Sequence, residues 1–294
     1  TCALPIYEDE EEGDGEEDEA AERRRKRAKE AFGGQSKYKY IRLEAPGERN
    51  VNKTWYNLRM DTSDTSSMLI AATKEHFVVP WQSGGGGPMY VGQVDKPGKA
   101  VSGNAVPLLR GHKERVNVIA FNPQDDLIFA SGSDDADIRL WRLDSGGVSG
   151  DCVNTMEGHI RSIRSLLWNP NCNNVLASSS SDDTVKLWDA SNQSEAAVTI
   201  EVGEAPLSMS YNYKGDGLAI AGRKKVIFVD PRKGGELHTT IDNTHEGSKG
   251  QRCVWLRDEN LLFTVGTTKS AAREFKIWDI RNSNKPLCST TIDR

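Results

Sequence analysis

The fold is decided by two stretches of sequence that repeat each other: LLRGHKERVNVIAFNPQDDLIFASGSDDADIRLWRL, which starts at Leu108, and TMEGHIRSIRSLLWNPNCNNVLASSSSDDTVKLWDA, which starts at Thr155. They share four anchors, and each anchor recurs 47 residues later: Gly-His at 111–112 and 158–159, aromatic-Asn-Pro at 121–123 and 168–170, Asp135 and Asp182, Trp141 and Trp188. Four anchors in one register indicate an internal repeat, in which each copy is one supersecondary unit.

Each copy has the pattern of a small antiparallel sheet. Short apolar runs such as VNVIAF and IRSLLW alternate with Asn-Pro and Asp-Asp turns, and the runs that end in Trp141 and Trp188 alternate apolar with polar residues. A period of about 40–50 residues with Gly-His near the start and Trp-Asp near the end resembles the WD repeat, whose unit is a four-stranded propeller blade. The resemblance predicts an all-β fold, a WD-repeat β-propeller.

Three weaker copies accompany the clear pair. One ends in Val229-Asp230 where Trp-Asp is expected, and another runs from His245-Glu246-Gly247 to Trp278-Asp279. A third precedes Leu108 and contains the glycine turn Gly84–Gly87. We therefore expect five blades, at about residues 36–100, 108–150, 155–192, 198–236 and 241–294.

The resemblance to WD repeats gives the polar anchors a structural role. In that family a loop His, a strand Ser or Thr, a turn Asp and a strand Trp form a buried hydrogen-bonded chain that pins one blade together. Each member is expected to be paired, because an orphaned buried polar group costs ~1–3 kcal/mol. The resemblance implies two such networks: His112, Ser131, Asp135 and Trp141, then His159, Ser178, Asp182 and Trp188.

A histidine beside an aspartate also invites a catalytic interpretation, but the sequence lacks the other parts of an active site. It contains no P-loop, no cluster with the spacing of metal ligands, and no nucleophile in a Gly-x-Ser-x-Gly setting. We expect a protein that is not an enzyme, with no catalytic residues, no metal and no cofactor.

The net charge of −5 is concentrated near one end of the chain. Residues 8–30 contain twelve acidic and six basic residues, which leaves +1 on residues 31–294. A nucleic-acid-binding domain usually has a basic excess of its own, so we expect no nucleic-acid partner. Residues 1–35 are expected to form a disordered acidic and basic tail, in which Arg23–Arg27 is alternatively a nuclear-import or acidic-partner signal.

Hydropathy and cysteine content limit the location of the protein. Apolar residues make up 36% of the chain, and no run approaches the roughly 20 consecutive apolar residues of a membrane-spanning helix. The five cysteines include no Cys-x-x-Cys pair, which fits neither a disulfide framework nor a zinc site. We therefore predict no membrane span and a reducing, cytoplasmic location.

Four further features narrow the resemblance to one family among the WD-repeat proteins. They are Ser36–Tyr40, Trp55–Arg59, the glycine loop Ser83–Gly87, and His245-Glu246-Gly247 before an IWDIRN ending. None is specific alone, but their order and spacing across residues 36–294 are similar to those of coronins. Coronins bind actin filaments and have a seven-bladed propeller, an extension beneath it and a C-terminal coiled coil that oligomerises. The resemblance implies F-actin as a partner, an actin-cytoskeleton location, and modulation of the actin-branching machinery.

Measured against the coronin pattern, the sequence stops inside or just past the fifth blade. Two blades and the coiled coil would then be missing, so we expect a fragment whose homo-oligomerisation depends on a coiled coil outside it. Alone, an open arc exposes sheet faces and is expected to aggregate or fold poorly. The first six residues, TCALPI, resemble a translated sequencing adaptor and are expected to be an artefact.

The coronin resemblance also selects residues for actin contact. Arg59 matches by position an arginine that the family uses to contact the filament. Because actin filaments are acidic, basic residues in or just after the Gly-His loops are further candidates: Lys113, Arg115, Arg161 and Arg164. These four are alternatively ordinary solvated loop charges, and a weaker basic set consists of Lys224, Lys225, Arg232 and Lys233. The alternative function is a WD-repeat scaffold subunit of a nuclear or trafficking complex, which rests on Arg23–Arg27.

Overall fold

The computed structural model of the protein describes residues 55–62, 68–99, 107–144, 146, 149–191, 195–256 and 260–293. They belong to one compact unit, Asn52–Arg294. These residues form β-strands joined by turns, with one turn of 3-10 helix at Pro231–Lys233. None of them builds a helix that is long and apolar enough to cross a bilayer. The predicted tail at residues 1–35 and the motif at Ser36–Tyr40 lie outside the described residues.

The first sheet contains aromatic side chains that pack a preceding segment against it. The strands of this region are β1 Trp55–Tyr56, β2 Ala71–Ala72, β3 His76–Pro80, β4 Gly87–Gln93, β5 Gly98–Lys99 and β6 Leu108–His112. The sheet is antiparallel with the order β2-β3-β4-β6, and β1 pairs with β5 in parallel. Trp55 meets Phe77 edge-on, with ring centroids 5.3 Å apart, and Phe77 also contacts Tyr90.

Four more antiparallel sheets follow, each of four strands that pair in chain order. The second contains β7 Val116–Asn122, β8 Asp125–Ser133, β9 Ile138–Leu143 and β10 Gly150–Met156. The third contains β11 Ile163–Trp168, β12 Val175–Ser180, β13 Thr184–Asp189 and β14 Val198–Glu201. The fourth contains β15 Ser208–Tyr211, β16 Leu218–Ala221, β17 Val226–Asp230 and β18 Glu236–Ile241. The fifth contains β19 Arg252–Leu256, β20 Leu261–Thr267, β21 Arg273–Asp279 and β22 Cys288–Asp293.

The Asp-Asp pairs of the repeat form tight turns. The carboxylates of Asp135 and Asp182 each accept the N–H two residues further on, at 3.1 Å. The residue that follows each of them, Ala136 or Asp183, has a positive φ of 70° or 64°. An aspartate that bonds to its own backbone stabilises such a reversal, which is why these residues join the second and third strands of a sheet.

The sequence repeat and the sheet are out of phase by one strand. Leu108–His112, which opens the predicted blade at 108–150, is the outer strand of the first sheet and pairs with β4. Gly150–Met156 is likewise the outer strand of the second sheet. The Gly-His pair therefore ends one sheet, and the chain then crosses to the inner strand of the next sheet.

The core lies between neighbouring sheets. Four clusters of buried apolar side chains fill the spaces between successive sheets, and each draws on both. Members drawn from the two sheets of each cluster include Met89 and Phe129, Ile138 and Ile163, Leu187 and Met209, and Phe228 and Cys253. Successive four-stranded sheets that pack face to face are adjacent propeller blades, so the predicted all-β class is confirmed.

Candidate functional site: a basic rim beside hydrogen-bonded networks

The first network joins the first sheet to the second. Nδ1 of His112 lies 2.9 Å from Oδ2 of Asp135, and its Nε2 lies 2.7 Å from Oγ of Ser131. Nε1 of Trp141 donates to the same Ser131 oxygen at 2.8 Å. Because an indole can only donate, Ser131 directs its own proton to His112 Nε2, and the Nδ1–H of His112 donates to the carboxylate.

The carboxylate of this network is ionised at neutral pH. Burial opposes the ionisation of Asp135, but its hydrogen bonds outweigh burial and lower its pKa to about 2. The donors are His112 and the backbone N–H groups of Lys113 and Asp137. The side chains of His112 and Asp135 are 0% and 4% exposed, so this charge is directed into the protein.

The second network repeats this arrangement in the third sheet. His159 lies 2.8 Å from Asp182 through Nδ1 and 2.7 Å from Ser178 through Nε2, and Trp188 donates to Ser178 at 2.8 Å. Burial opposes the ionisation of Asp182, but hydrogen bonds from Thr184 and His159 lower its pKa to about 2. Burial also lowers the pKa of His159, although the bond to Asp182 acts in the opposite direction.

These networks fasten the connection between two sheets, which differs from the predicted role within a single blade. His112 belongs to the outer strand of the first sheet, whereas Ser131 and Trp141 belong to the second. Both ring nitrogens of His112 and of His159 are hydrogen-bonded inside the protein, so the arrangement supports a structural role. Within the ranges that the structure covers, no three His, Cys, Asp or Glu side chains are grouped as metal ligands.

A third network in the fifth sheet was missed by the sequence interpretation. His245 lies 2.8 Å from Glu274 through Nδ1 and 2.9 Å from Thr264 through Nε2, and Trp278 donates to Thr264 at 3.0 Å. Nζ of Lys276 lies 3.2 Å from Glu274. The available signal was His245 followed by a Trp-Asp pair, but the carboxylate comes from a strand instead of a turn, so the spacing of the motif did not reveal it.

The fourth sheet replaces its network with apolar side chains. The strand register aligns Ile220 with Ser131 and Ser178. Val202 precedes the strand partner of Ile220 by seven residues, the same distance at which the network histidines precede the strand partners of those serines. Val202, Ile220 and Val229 are at most 2% exposed and belong to one cluster. Because no histidine needs a carboxylate here, the turn at 222–225 can carry basic residues instead of aspartates.

The turns beside the networks lie along one edge of the sheets, which we call the network rim. Cross-turn hydrogen bonds define this edge: Asp134 N–H to Arg115 C=O at 2.9 Å, Ser181 N–H to Ser162 C=O at 3.0 Å, and Thr244 N–H to Lys224 C=O at 3.0 Å. The network rim comprises residues 82–86, 113–115, 134–137, 160–162, 181–183, 203–207, 222–225, 242–251 and 268–272, together with Arg59 and Arg164, which hydrogen-bond to Gln82 and Ser181 in its turns. The opposite rim comprises residues 123–124, 169–174, 212–217 and 231–235.

Arg59 and Lys113 lie at the network rim and are exposed. The C=O of Arg59 accepts the N–H of Gln82 at 2.7 Å. The turn that begins at Gln82 lies against His112, since a Cβ on Gly86 would be 3.2 Å from the His112 oxygen. Arg59 therefore shares the edge that carries Lys113.

The three other candidates lie at the same rim but are held differently. Arg115 is half-buried, with Nη2 3.3 Å from Oδ2 of Asp134. Arg161 is exposed, and Nε of the exposed Arg164 donates to Oγ of Ser181 at 2.8 Å. All five candidate residues therefore lie on one edge of the first three sheets.

The weaker basic set is divided between the two rims. Lys224 and Lys225 belong to the network rim, together with Arg223, which the sequence interpretation missed although it is adjacent in the chain. Arg232 and Lys233 belong to the opposite rim, where Nη2 of Arg232 lies 3.0 Å from Oδ2 of Asp230. These four predicted residues therefore do not form one patch.

Comparison with known proteins places these features in a family. The WD domain, G-beta repeat, matches residues 103–142 and 150–189, and a domain of unknown function, DUF1899, matches residues 31–99. Coronin-A of Dictyostelium discoideum is 36% identical over 263 residues, which cover 88% of this chain and 57% of that protein. Coronin-like protein crn1 of Schizosaccharomyces pombe is 32% identical over 81% of this chain and 40% of its own length.

Solved structures agree with these matches. The WD40 domain of Toxoplasma gondii coronin superposes with a TM-score of 0.76 at 30% identity, and the match covers 82% of this chain and 63% of that one. The outer coat vertex of COPII on membranes matches with a TM-score of 0.60 at 17% identity, covering 76% of this chain and 62% of that one, which shows the fold alone. This protein is a coronin homologue built on WD40 repeats.

Proposed function

We propose that this protein binds actin filaments through its network rim and acts as a non-catalytic regulator of actin-cytoskeleton organisation. Its homology to coronins supports actin as the partner. The observation that carries the proposal is that the five basic residues selected for filament contact share one rim: Arg59, Lys113, Arg115, Arg161 and Arg164. A shared edge allows them to act on one acidic surface.

The electrostatics of the rim support this function. Arg59, Lys113 and Arg161 are exposed, and none of them has an ion pair with another described residue. The ionised carboxylates of Asp135 and Asp182 are 4% exposed and are occupied by the networks. Basic side chains therefore face solvent while the two network aspartates face inward. This arrangement favours and orients an acidic partner, and the attraction weakens with salt.

The wider activities of coronins depend on more than this region. The chain spans 57% of Coronin-A and 40% of the S. pombe relative. Contact with the actin-branching machinery and oligomerisation through a coiled coil are therefore proposals about the whole protein. With filament binding we also propose a cytoplasmic location, at the actin cytoskeleton.

Co-sedimentation with actin filaments tests the proposal. We expect the protein to pellet with filaments, Arg59→Asp to abolish pelleting, and the circular dichroism spectrum to remain unchanged. Lys214→Asp is the matched control, because Lys214 is exposed on the opposite rim. Pelleting no higher than background for the wild type would reject filament binding, and equal losses in both variants would reject the network rim as its site.

A further inference from the structure

At the network rim, the turn between the second and third strands changes from acidic to basic at the fourth sheet. In the second and third sheets, the turn between the second and third strands contains Asp134-Asp135 and Asp182-Asp183. In the fourth sheet the corresponding turn contains Arg223, Lys224 and Lys225. Apolar replacement of the network removes the need for a carboxylate at this place, but it does not by itself require three cations.

The backbone of this basic turn is firmly held. Gly222 N–H donates to Lys225 C=O at 2.9 Å and closes the turn. The C=O of Lys224 accepts both the N–H and the hydroxyl of Thr244 at 3.0 Å, and Nε2 of Gln251 donates to Lys225 C=O at 3.1 Å. Because the following loop fixes the turn, a partner pays little to order its backbone.

The basic side chains of this turn are accessible to a binding partner. Arg223 and Lys224 are exposed, Lys225 is half-buried, and none of the three has an ion pair with another residue that the structure describes. Lys249, in the loop that holds the turn, is also exposed. Glu204 packs against Gly222 at the base of the turn, so one carboxylate lies beside this basic segment.

We propose that this basic turn, defined as Arg223–Lys225 with Lys249, is a docking site for an extended acidic segment of a protein partner, separate from the proposed filament contact. The positive charge of the basic turn is confined to a small area, which favours a narrow ligand. The exposed Asp183 occupies the same rim on the adjacent third sheet, and a broad, uniformly anionic surface such as a membrane would also meet this carboxylate. A single acidic chain contacts the fourth sheet alone, three sheets along from Arg59.

Fluorescence anisotropy with a fluorescein-labelled block of roughly six glutamates tests the site directly. We expect binding at low ionic strength that weakens at about 0.15 M salt, because the charges are exposed. Arg223→Glu with Lys224→Glu is expected to weaken binding by about tenfold or more. Arg232→Glu with Lys233→Glu is the matched control: it changes the net charge equally on the opposite rim of the same sheet and should keep the wild-type affinity.

Other outcomes would overturn the proposal. No binding by the folded wild type, or equal weakening in both double variants, would reject a local site. Binding to phosphatidylserine vesicles but not to the peptide, with loss in the same double variant, would assign the turn to a membrane. If Arg223→Glu with Lys224→Glu also abolishes pelleting with filaments, the turn belongs to the filament contact and is not separate. The peptide assay contains no actin, so its result is independent of filament binding.

Discussion

Glu274 reaches His245 from a strand, whereas Asp135 reaches His112 from a turn. The distances are nearly equal, at 2.8 Å for Oε1 to Nδ1 in the fifth sheet and 2.9 Å for Oδ2 to Nδ1 in the second. The longer glutamate side chain compensates for the different position of its backbone. Two different sequence patterns therefore place a carboxylate against the same histidine nitrogen.

Removal of this carboxylate should destabilise the fifth sheet. In Glu274→Ala, His245 Nδ1 and Lys276 lose their shared acceptor while His245 stays buried, so we expect the free energy of unfolding to fall by about 1–3 kcal/mol. Urea denaturation measures the change. Glu246→Ala is the control, because Glu246 is exposed and pairs with Lys269 at 3.6 Å, a contact worth ~0–1 kcal/mol. Equal losses in the two variants would contradict the assigned network.

Loss of the Ser178 hydroxyl, which His159 and Trp188 share, should lower the stability of the fold more than loss of the neighbouring Ser179 hydroxyl. Ser178→Ala leaves Nε2 of His159 and Nε1 of Trp188 buried without their common partner, at about 1–3 kcal/mol for each orphaned group. Ser179 is also fully buried, but its hydroxyl has only a long 3.5 Å bond to Pro206 C=O. We expect thermal unfolding to shift clearly lower for Ser178→Ala than for Ser179→Ala, and the reverse order would show that the network does not contribute as described.

Mild acid should weaken the fold through His159 and His245. Burial lowers the pKa of both His159 and His245, although Asp182 and Glu274 oppose this effect. The unfolded chain, with histidine pKa values of about 6.5, therefore binds protons first as the pH falls. We expect the free energy of unfolding to be retained above about pH 7 and to decline toward about pH 5. Denaturation at several pH values measures this, and greater stability at the acidic end would contradict it.

Stronger acid should remove the stability that the network aspartates contribute. Hydrogen bonds overcome burial and lower the pKa of Asp135 and of Asp182 to about 2. Since an unfolded aspartate has a pKa of about 3.9, stability is lost as the pH falls from about 4 through about 2. Asp135→Asn should flatten this part of the profile, and an unchanged profile in the variant would count against the role of that carboxylate.

Packing between the second and third sheets should not tolerate an added methyl group at Gly132. A Cβ there would lie 2.5 Å from Cγ2 of Ile163 and 3.0 Å from Cγ1 of Val118. Gly132→Ala is therefore expected to cost about 1–3 kcal/mol through overpacking, as judged by urea denaturation. Gly85→Ala, with no atom within 4 Å of the new Cβ, is the control and should change stability far less. A tolerated Gly132→Ala would mean that the two sheets pack less closely.

The local sequence pattern was sufficient to predict the strands and the family. Alternating apolar residues and Asp-Asp turns depend on neighbours in the chain, so the all-β class and the coronin resemblance were predictable and are confirmed. The network around Glu274 was not predictable, because its carboxylate lies 29 residues from His245 and at a position where the clear repeats have no acid. The apolar replacement at Val202 and Ile220 was also missed, since it becomes visible only when the strands are aligned by register.

By itself, the sequence determined that a strand-turn unit recurs and where its polar anchors stand along the chain. Only the tertiary structure decided that Leu108–His112 completes the sheet before its own repeat, that the five candidate cations lie on one edge, and that Arg232 lies on the other. The physical reason is that strand pairing and packing between sheets join residues far apart in sequence. A repeat pattern records spacing along the chain, whereas the edge on which a side chain lies depends on which strands pair.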